Sequence, residues 1–416
     1  MHPALEPSNL DRLTKGLRTR AKAAIAGSAD QRLQFVLLLT KKMSDWPSED
    51  LPLLLPIFGI ILDPTNIDTA LNQLDSPTVQ PDSDVRVVGA LFSLRGIQLL
   101  MARDAVPSEV LGELWTLMWP WMEFMDEHRD FLPTIDLLAA APRHSLFMSL
   151  IGMFLADVHV ASLIHTSPGV CAVVGSGWLH LTKTKSDPDE LAKIYQFLEL
   201  WFAEREWTAA SFDALVMGSG GTRNDLALHI IAPVLRSLPR LDTMVTDHTV
   251  FNIGAVFNFV GHTTGVFGRR GDPAFRDELL SLGIVTALTA VARVFALSNL
   301  STAWNELEKI FHILVDYLSS FPLHVRMLES VRSGLLSTIL ACGCARNIDE
   351  TRTPLVKLLR NILPASTVYR SVVWHLQTYL TNMGGTRSCC DFGRPRCCRA
   401  LEIVSGIGGT AAPTFG

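Results

Sequence analysis

Charge is what this chain has little of. Of 416 residues, 19% are charged and 48% hydrophobic, whereas an average soluble domain is about a quarter charged. That composition excludes wholesale disorder, which requires polar, highly charged sequence. Positive charge is not in excess either: 36 Lys and Arg against 41 Asp and Glu leave a net charge of −5. A general nucleic-acid binder needs a basic face, so that class is set aside. Cysteine is scarce as well, and seven residues are too few for a disulfide framework. Cys171 stands alone, Cys342 and Cys344 nearly touch, and Cys389, Cys390, Cys397 and Cys398 crowd the end.

Long apolar runs are also missing. The richest windows cover residues 51–62, 146–156 and 279–297. The first holds Pro52 and Pro56 and falls short of the ~20 residues a spanning helix needs. The second extends only by taking in Asp157 and His159, and the third contains Arg293. No membrane span is expected. No secretory signal opens the chain, because Arg12, Lys15, Arg18, Arg20 and Lys22 interrupt its first apolar stretch. Those cations on an amphipathic pattern also fit a mitochondrial presequence, against which Glu6 and Asp11 count. The expected location is cytoplasmic or nuclear.

What the chain does have is helical periodicity. Trp304, Leu307, Ile310, Phe311, Leu314 and Leu318 recur at steps of three and four and share one helix face, with Ser301 at the N-cap position. Asp187, Pro188 and Glu190 open a second helix in the manner of a capping box, and Leu191, Ile194, Leu198 and Trp201 form its buried stripe. Leu355, Leu358, Leu359 and Ile362 predict a helix after Pro354. Tyr369, Val372, Val373, Leu376 and Leu380 predict another after Pro364. At the start, Leu10, Leu13, Leu17, Ala21 and Ile25 read as one helix capped by Ser8 or Asn9. Further helices are expected over 31–42, 85–103, 108–125, 224–238, 251–260 and 325–341, with Pro120 ending or kinking its own. Strand evidence is confined to short β-branched runs such as 170–174 without hairpin turns. Trp115, Trp119 and Trp201 fall on apolar stripes and read as core.

The length allows two or three compact domains or one elongated repeat array. A weak internal repeat favours the array: Ser167-Pro168-Gly169-Val170, Ser281-Leu282-Gly283-Ile284 and Ser333-Gly334-Leu335 each set a Gly before an apolar stretch. An armadillo-type repeat has such a Gly turn between its first two helices. The spacings of 114 and 51 residues between these glycines fit multiples of the expected ~40–47 only loosely. The fold class is therefore all-α, an armadillo- or HEAT-like α-solenoid over 1–384 with a short disordered tail over 385–416.

Catalytic motifs are absent. Val174-Gly175-Ser176-Gly177-Trp178 and Met217-Gly218-Ser219-Gly220-Gly221-Thr222 contain Gly-Ser-Gly but not the five-residue nucleophile elbow. The second reads as an inter-helix loop, since neither a strand before it nor a Gly-Lys-Ser/Thr after it makes it a phosphate loop. The twelve histidines include no HExxH; His144, His159, His165, His180, His229 and His248 are scattered. No catalytic, cofactor-binding or metal-binding residue is assigned, and the chain is not expected to be an enzyme. In the tail, Cys389, Cys390, Cys397 and Cys398 supply four thiols among Arg387, Arg394, Arg396 and Arg399. Four thiols suffice for tetrahedral zinc, but adjacent cysteines diverge where C-x2-C pairs converge. Zinc binding, S-acylation and a functionless tail stay open there.

These features together resemble fungal, mushroom-type helical proteins that end in a MYND zinc finger. The likeness runs from the amphipathic start through Arg129-Asp130-Phe131-Leu132-Pro133 and the Ser/Gly turns to the Cys-rich tail. It implies an armadillo-like fold and a role in protein–protein contact. The finger itself departs from the pattern: no C-x2-C pair exists and no histidine follows His375, so no zinc ligand is carried over. A reading frame or intron boundary misplaced near Gly384 accounts for such a departure. The expected function is a non-catalytic helical scaffold for an unknown protein partner, without cofactor. The alternatives are an all-α ligand-binding protein or enzyme with a dispersed His/Asp pocket, and a zinc-dependent regulator.

Overall fold

A computed structural model describes residues 2–74, 85–129, 143–183, 188–204, 208–238, 244–268, 271–320, 322–344 and 348–385. Among them the regular structure is all helical, without a strand. The residues form two compact units, 1–221 and 222–416.

The first unit contains α1 (Lys15–Ala26), α2 (Ala29–Lys42), α3 (Leu55–Ile61), α4 (Thr65–Leu74), α5 (Val85–Met101), α6 (Leu111–Glu127), α7 (Arg143–Leu155), α8 (Val158–Thr166), α9 (Val170–Lys183), α10 (Pro188–Glu204) and α11 (Ala209–Gly218). The helix expected over 10–25 is divided. A 3-10 turn, Pro7–Arg12, precedes α1, and neither Ser8 nor Asn9 caps it: Ser8 donates to the Glu6 carboxylate and Asn9 to the Pro3 carbonyl. Leu10 and Leu13 are still buried, because apolar side chains reach the core from either backbone. The capping box that the chain does form is at α2, where Ser28 accepts from the Gln31 amide and Gln31 accepts from the Ser28 amide. Pro120 sits inside α6 without ending it. The β-branched run at 170–174 lies in α9. Pro188 begins α10 as expected; Asp187 lies outside the described residues.

The second unit contains α12 (Arg223–Ser237), α13 (Asp247–Thr263), α14 (Pro273–Ser281), α15 (Ile284–Ala296), α16 (Ser301–Leu318), α17 (Leu323–Arg332), α18 (Leu335–Cys344), α19 (Ile348–Lys357), α20 (Leu363–Ser366) and α21 (Arg370–Gly385). Ser301 is the first residue of α16 and not its cap; one position earlier, the Leu300 amide is taken by the Ser298 hydroxyl at 3.2 Å. The continuous helix expected over 325–341 is cut into α17 and α18 by Gly334, whose φ of 102° no helix accommodates. Conversely, the helix expected to start after Pro354 starts before it, while the one expected after Pro364 is present as α21. Pro354 lies inside α19, which widens through a π-helical turn, Leu358–Ile362, and runs on through Pro364 into α20. Pro364 has no amide to donate, and the Leu363 amide bonds five residues back to Leu358.

The three Ser/Gly turns behave alike. Gly169, Gly283 and Gly334 all have positive φ, at 80°, 88° and 102°, and each directly precedes a helix: α9, α15 and α18. A β-carbon is disfavoured there, so glycine makes the bend. The accompanying serines bond back to the helix they end: Ser167 to Leu163 O, Ser281 to Glu278 O and Ser333 to Glu329 O, at 2.8–2.9 Å. At Glu278 and Glu329 the hydroxyl shares a carbonyl that already accepts a backbone amide, from Leu282 and Ser333 respectively. The turns bend the chain by 90° between α8 and α9 and by 72° between α14 and α15.

Packing recurs at a step of three helices. In the second unit α12 packs on α15 and α15 on α18, while α13 packs on α16 and α16 on α19. In the first, α2 packs on α5, α6 on α9 and α7 on α10. No single helix among the described residues is long and apolar enough to cross a membrane; the window at 279–297 is bent at Gly283.

Candidate functional site

The chemistry-bearing side chains of the first unit gather around one buried carboxylate. Asp126 falls on the same stripe of α6 as Met118 and Met122, all buried, and so points inward with the core. From α9, the Ser176 hydroxyl donates to Asp126 Oδ1 at 2.8 Å and accepts from Arg129 Nη1 at 2.9 Å. Arg129 also lies 3.6 Å from Asp126 Oδ2. From α7, His144 places Nε2 3.6 Å from Asp126 Oδ1, and its ring faces His180 of α9 with centroids 4.4 Å apart. Lys193 of α10 donates to the neighbouring Ser145 hydroxyl. Burial, then His144, then Arg143 push the His180 pKa down.

The residue types are those of a hydrolase triad, but the connections are not. A nucleophilic serine must give its proton to an imidazole that a carboxylate orients. Here Ser176 gives its hydrogen to the carboxylate itself, and no histidine bond to Ser176 is present. Three of these groups, Asp126, His144 and Ser176, are no more than 8% exposed. The Ser176 hydrogen bond ties the Asp126 carboxylate of α6 to α9, which is how a buried carboxylate is tolerated, while His144 Nε2 of α7 is buried without a hydrogen-bond partner.

Gly175 and Gly177, which flank Ser176, have a packing role. A β-carbon on Gly175 would stand 2.4 Å from the Leu215 carbonyl oxygen, and one on Gly218 would stand 2.0 Å from that of Ala172. The first Gly-Ser-Gly run is thus mid-helix, where α9 crosses α11. In the second, Gly218 ends α11, while Gly220 and Gly221 turn with φ of 129° and 92°. This is the inter-helix loop the sequence predicts.

Of the scattered histidines, the fold brings His144 and His180 together. His165 meets the Trp201 ring at 4.2 Å. Trp115, Trp119 and Trp201 are buried as expected, and the first two stack at 5.4 Å. Cys171 and Cys342 are buried, and burial pushes both thiols up to about 12. Among the described residues no group of three His, Cys, Asp or Glu side chains could hold a metal ion. Cys389, Cys390, Cys397 and Cys398 lie outside those residues.

In the second unit, polar bonds tie successive helices together. The Arg223 guanidinium makes a two-pronged ion pair with Asp272, the N-cap of α14, at 2.6–3.0 Å. Burial alone raises the Asp272 pKa, but Arg223 and the Phe275 amide outweigh it and hold the carboxyl below its ordinary value. Glu329 of α17 accepts from both the amide and hydroxyl of Thr286 on α15, and Thr289 bonds Ser330 at 2.8 Å. Sequence spacing does not reveal these pairs. Asp126, a lone carboxylate in an apolar stripe, is the one residue whose pattern already points to a buried partner. Comparison of the chain with protein-family models, curated proteins and solved structures gives no match.

Proposed function

We propose that the chain is a non-catalytic, armadillo-like helical scaffold that presents a surface to another protein, in the cytoplasm or nucleus. The observation that carries the reading is the three-helix step. Helices α12, α15 and α18 form one packed series and α13, α16 and α19 a second; left-handed glycines enter α15 and α18. Three-helix units stacked on their like neighbours, with a Gly bend between the first two helices, are the plan of an armadillo array. Such arrays expose an extended face suited to long partners. The resemblance to fungal proteins ending in a MYND finger agrees with this role, and residues 385–416 are then the remnant of the finger region. The enzyme alternative draws on Asp126, His144 and Ser176, whose bonding pattern lacks a serine–imidazole link.

Solution scattering tests the array. A compact globule of 416 residues has a radius of gyration of about 22 Å, and an array exceeds it clearly. A value at the compact figure contradicts the proposal. Sequencing the transcript across Gly384 tests the finger: an uninterrupted frame matching this tail removes it.

A further inference from the structure

Between the N-terminal ends of α2 and α5 lies a small cleft, open on one side and lined by Ala29, Arg32, Ile61, Asn66, Arg86 and Gly89. It brings two guanidinium groups together, and no carboxylate lines it among the described residues. Arg32 Nε is removed from solvent and has no hydrogen-bond partner; its Nη2 donates to the Gly27 carbonyl at 3.3 Å, which fixes the group in place. Arg86 makes no hydrogen bond or ion pair with the described residues. Among the described residues, the carboxylates nearest in sequence are turned to other uses; Asp82 and Asp84, four and two residues before Arg86, lie outside those residues. Asp63 accepts from the amide and hydroxyl of Thr65, and Asp30 lies exposed. Asn66 spends its side-chain amide on the Ile60 and Ile61 carbonyls at 3.5 Å, leaving its carbonyl oxygen as the only acceptor it brings.

The position of the two cations adds to the imbalance. Arg86 is the second residue of α5 and Arg32 the fourth of α2, close to helix ends that already carry partial positive charge. Cations there are unfavourable unless something negative neutralises them. A buried guanidinium nitrogen without an acceptor is costly for the same reason. Arginine's planar fork matches the oxygens of phosphate and carboxylate groups. We propose that this cleft binds a small oxyanionic group, phosphoryl or carboxylate, held by Arg32 and Arg86. The inference is independent of the scaffold reading, because it rests on the charge and bonding of this cleft alone.

The test uses the full chain and two probes, inorganic phosphate and acetate, titrated at constant ionic strength with chloride. The thermal midpoint is expected to rise saturably with the probe. Arg32→Gln and Arg86→Gln are each expected to weaken that response about tenfold, the loss of one charge-assisted contact, while Lys41→Gln/Lys42→Gln at the far end of α2 leaves it unchanged. A response to phosphate alone assigns a phosphoryl ligand, and a response to both assigns carboxylates as well. No saturable response to either probe, or one untouched by both arginine substitutions, overturns the proposal. So does a response that emerges only in Asp82→Asn/Asp84→Asn, since the chain's own carboxylates then fill the cleft.

Discussion

Gly175 of α9 and Gly218 of α11 meet where the two helices cross, and neither leaves room for a side chain: a β-carbon on Gly175 would come within 3.0 Å of the Gly218 carbonyl carbon. The obstacle in both directions is backbone, which cannot swing aside as a flexible side chain can. Gly175→Ala and Gly218→Ala are each expected to destabilise the first unit by at least the ~1–3 kcal/mol typical of overpacking. Gly16→Ala, on a helix with open space around it, is the control and is expected to be neutral or slightly stabilising. Thermal or urea unfolding of the three variants separates them.

That crossing also shows where sequence reasoning stops. Periodicity finds α10 because a stripe such as Ile194, Leu198 and Trp201 repeats at the helical step, and all three are buried; it misses α9, whose β-branched start reads as a strand. The Ser/Gly turns are legible for a similar reason: only glycine enters the left-handed region cheaply, so Gly169, Gly283 and Gly334 mark bends before any coordinate is known. Gly175 has no such signature, since its conformation is helical and its role depends on a helix forty residues away.

Proline misleads in the opposite direction. Pro120 and Pro354 lie inside helices, because neighbouring packing tolerates one lost backbone bond. The centre at Asp126 is hidden for a third reason. Its partners His144 and Ser176 are eighteen and fifty residues on, and only tertiary packing joins them.

Gly283 and Gly334 separate conformational strain from crowding. Around Gly283 the nearest atom a β-carbon would meet is Glu329 Oε1 at 3.7 Å, an ordinary contact. Gly283→Ala is therefore expected to cost about 1 kcal/mol from the left-handed backbone alone, and Gly283→Asn less, because asparagine enters that region more readily. At Gly334 an added β-carbon meets Arg293 Nη1 at 3.2 Å, so alanine there pays for crowding as well as strain and ranks below Gly283→Ala. Denaturant midpoints of the three variants, measured together, give the order.

Cys171 and Cys342 report opening of the two units separately. Both thiols are buried and pushed up to about 12, so the reactive thiolate is rare and shielded near neutral pH. At pH 8 an alkylating reagent is expected to modify both far more slowly in the native chain than after denaturation. Site-resolved mass spectrometry reads each rate on its own. Gly175→Ala is expected to speed modification of Cys171, on the same helix, and to leave Cys342 unchanged. Rapid native labelling of Cys342 contradicts the packing of α18 described above.

Acid tests the Arg223–Asp272 pair. The folded Asp272 pKa lies below its ordinary value because the Arg223 guanidinium and the Phe275 amide outweigh the cost of burial. A depressed carboxylate pKa stabilises the fold above the unfolded value of about 3.9 and gives that stability up as pH falls through the folded value. Asp272→Asn retains a side-chain oxygen for capping α14 but removes the charge. It is expected to lower the second unit's stability at pH 7 and to approach the unsubstituted chain in stability as the pH falls below about 4. Arg223→Gln is expected to follow the same curve, since it removes the other half of the pair. The difference from the unsubstituted chain, followed by urea unfolding from pH 7 to pH 3, is the measurement; a difference that stays constant across this range means the contact does not act through charge.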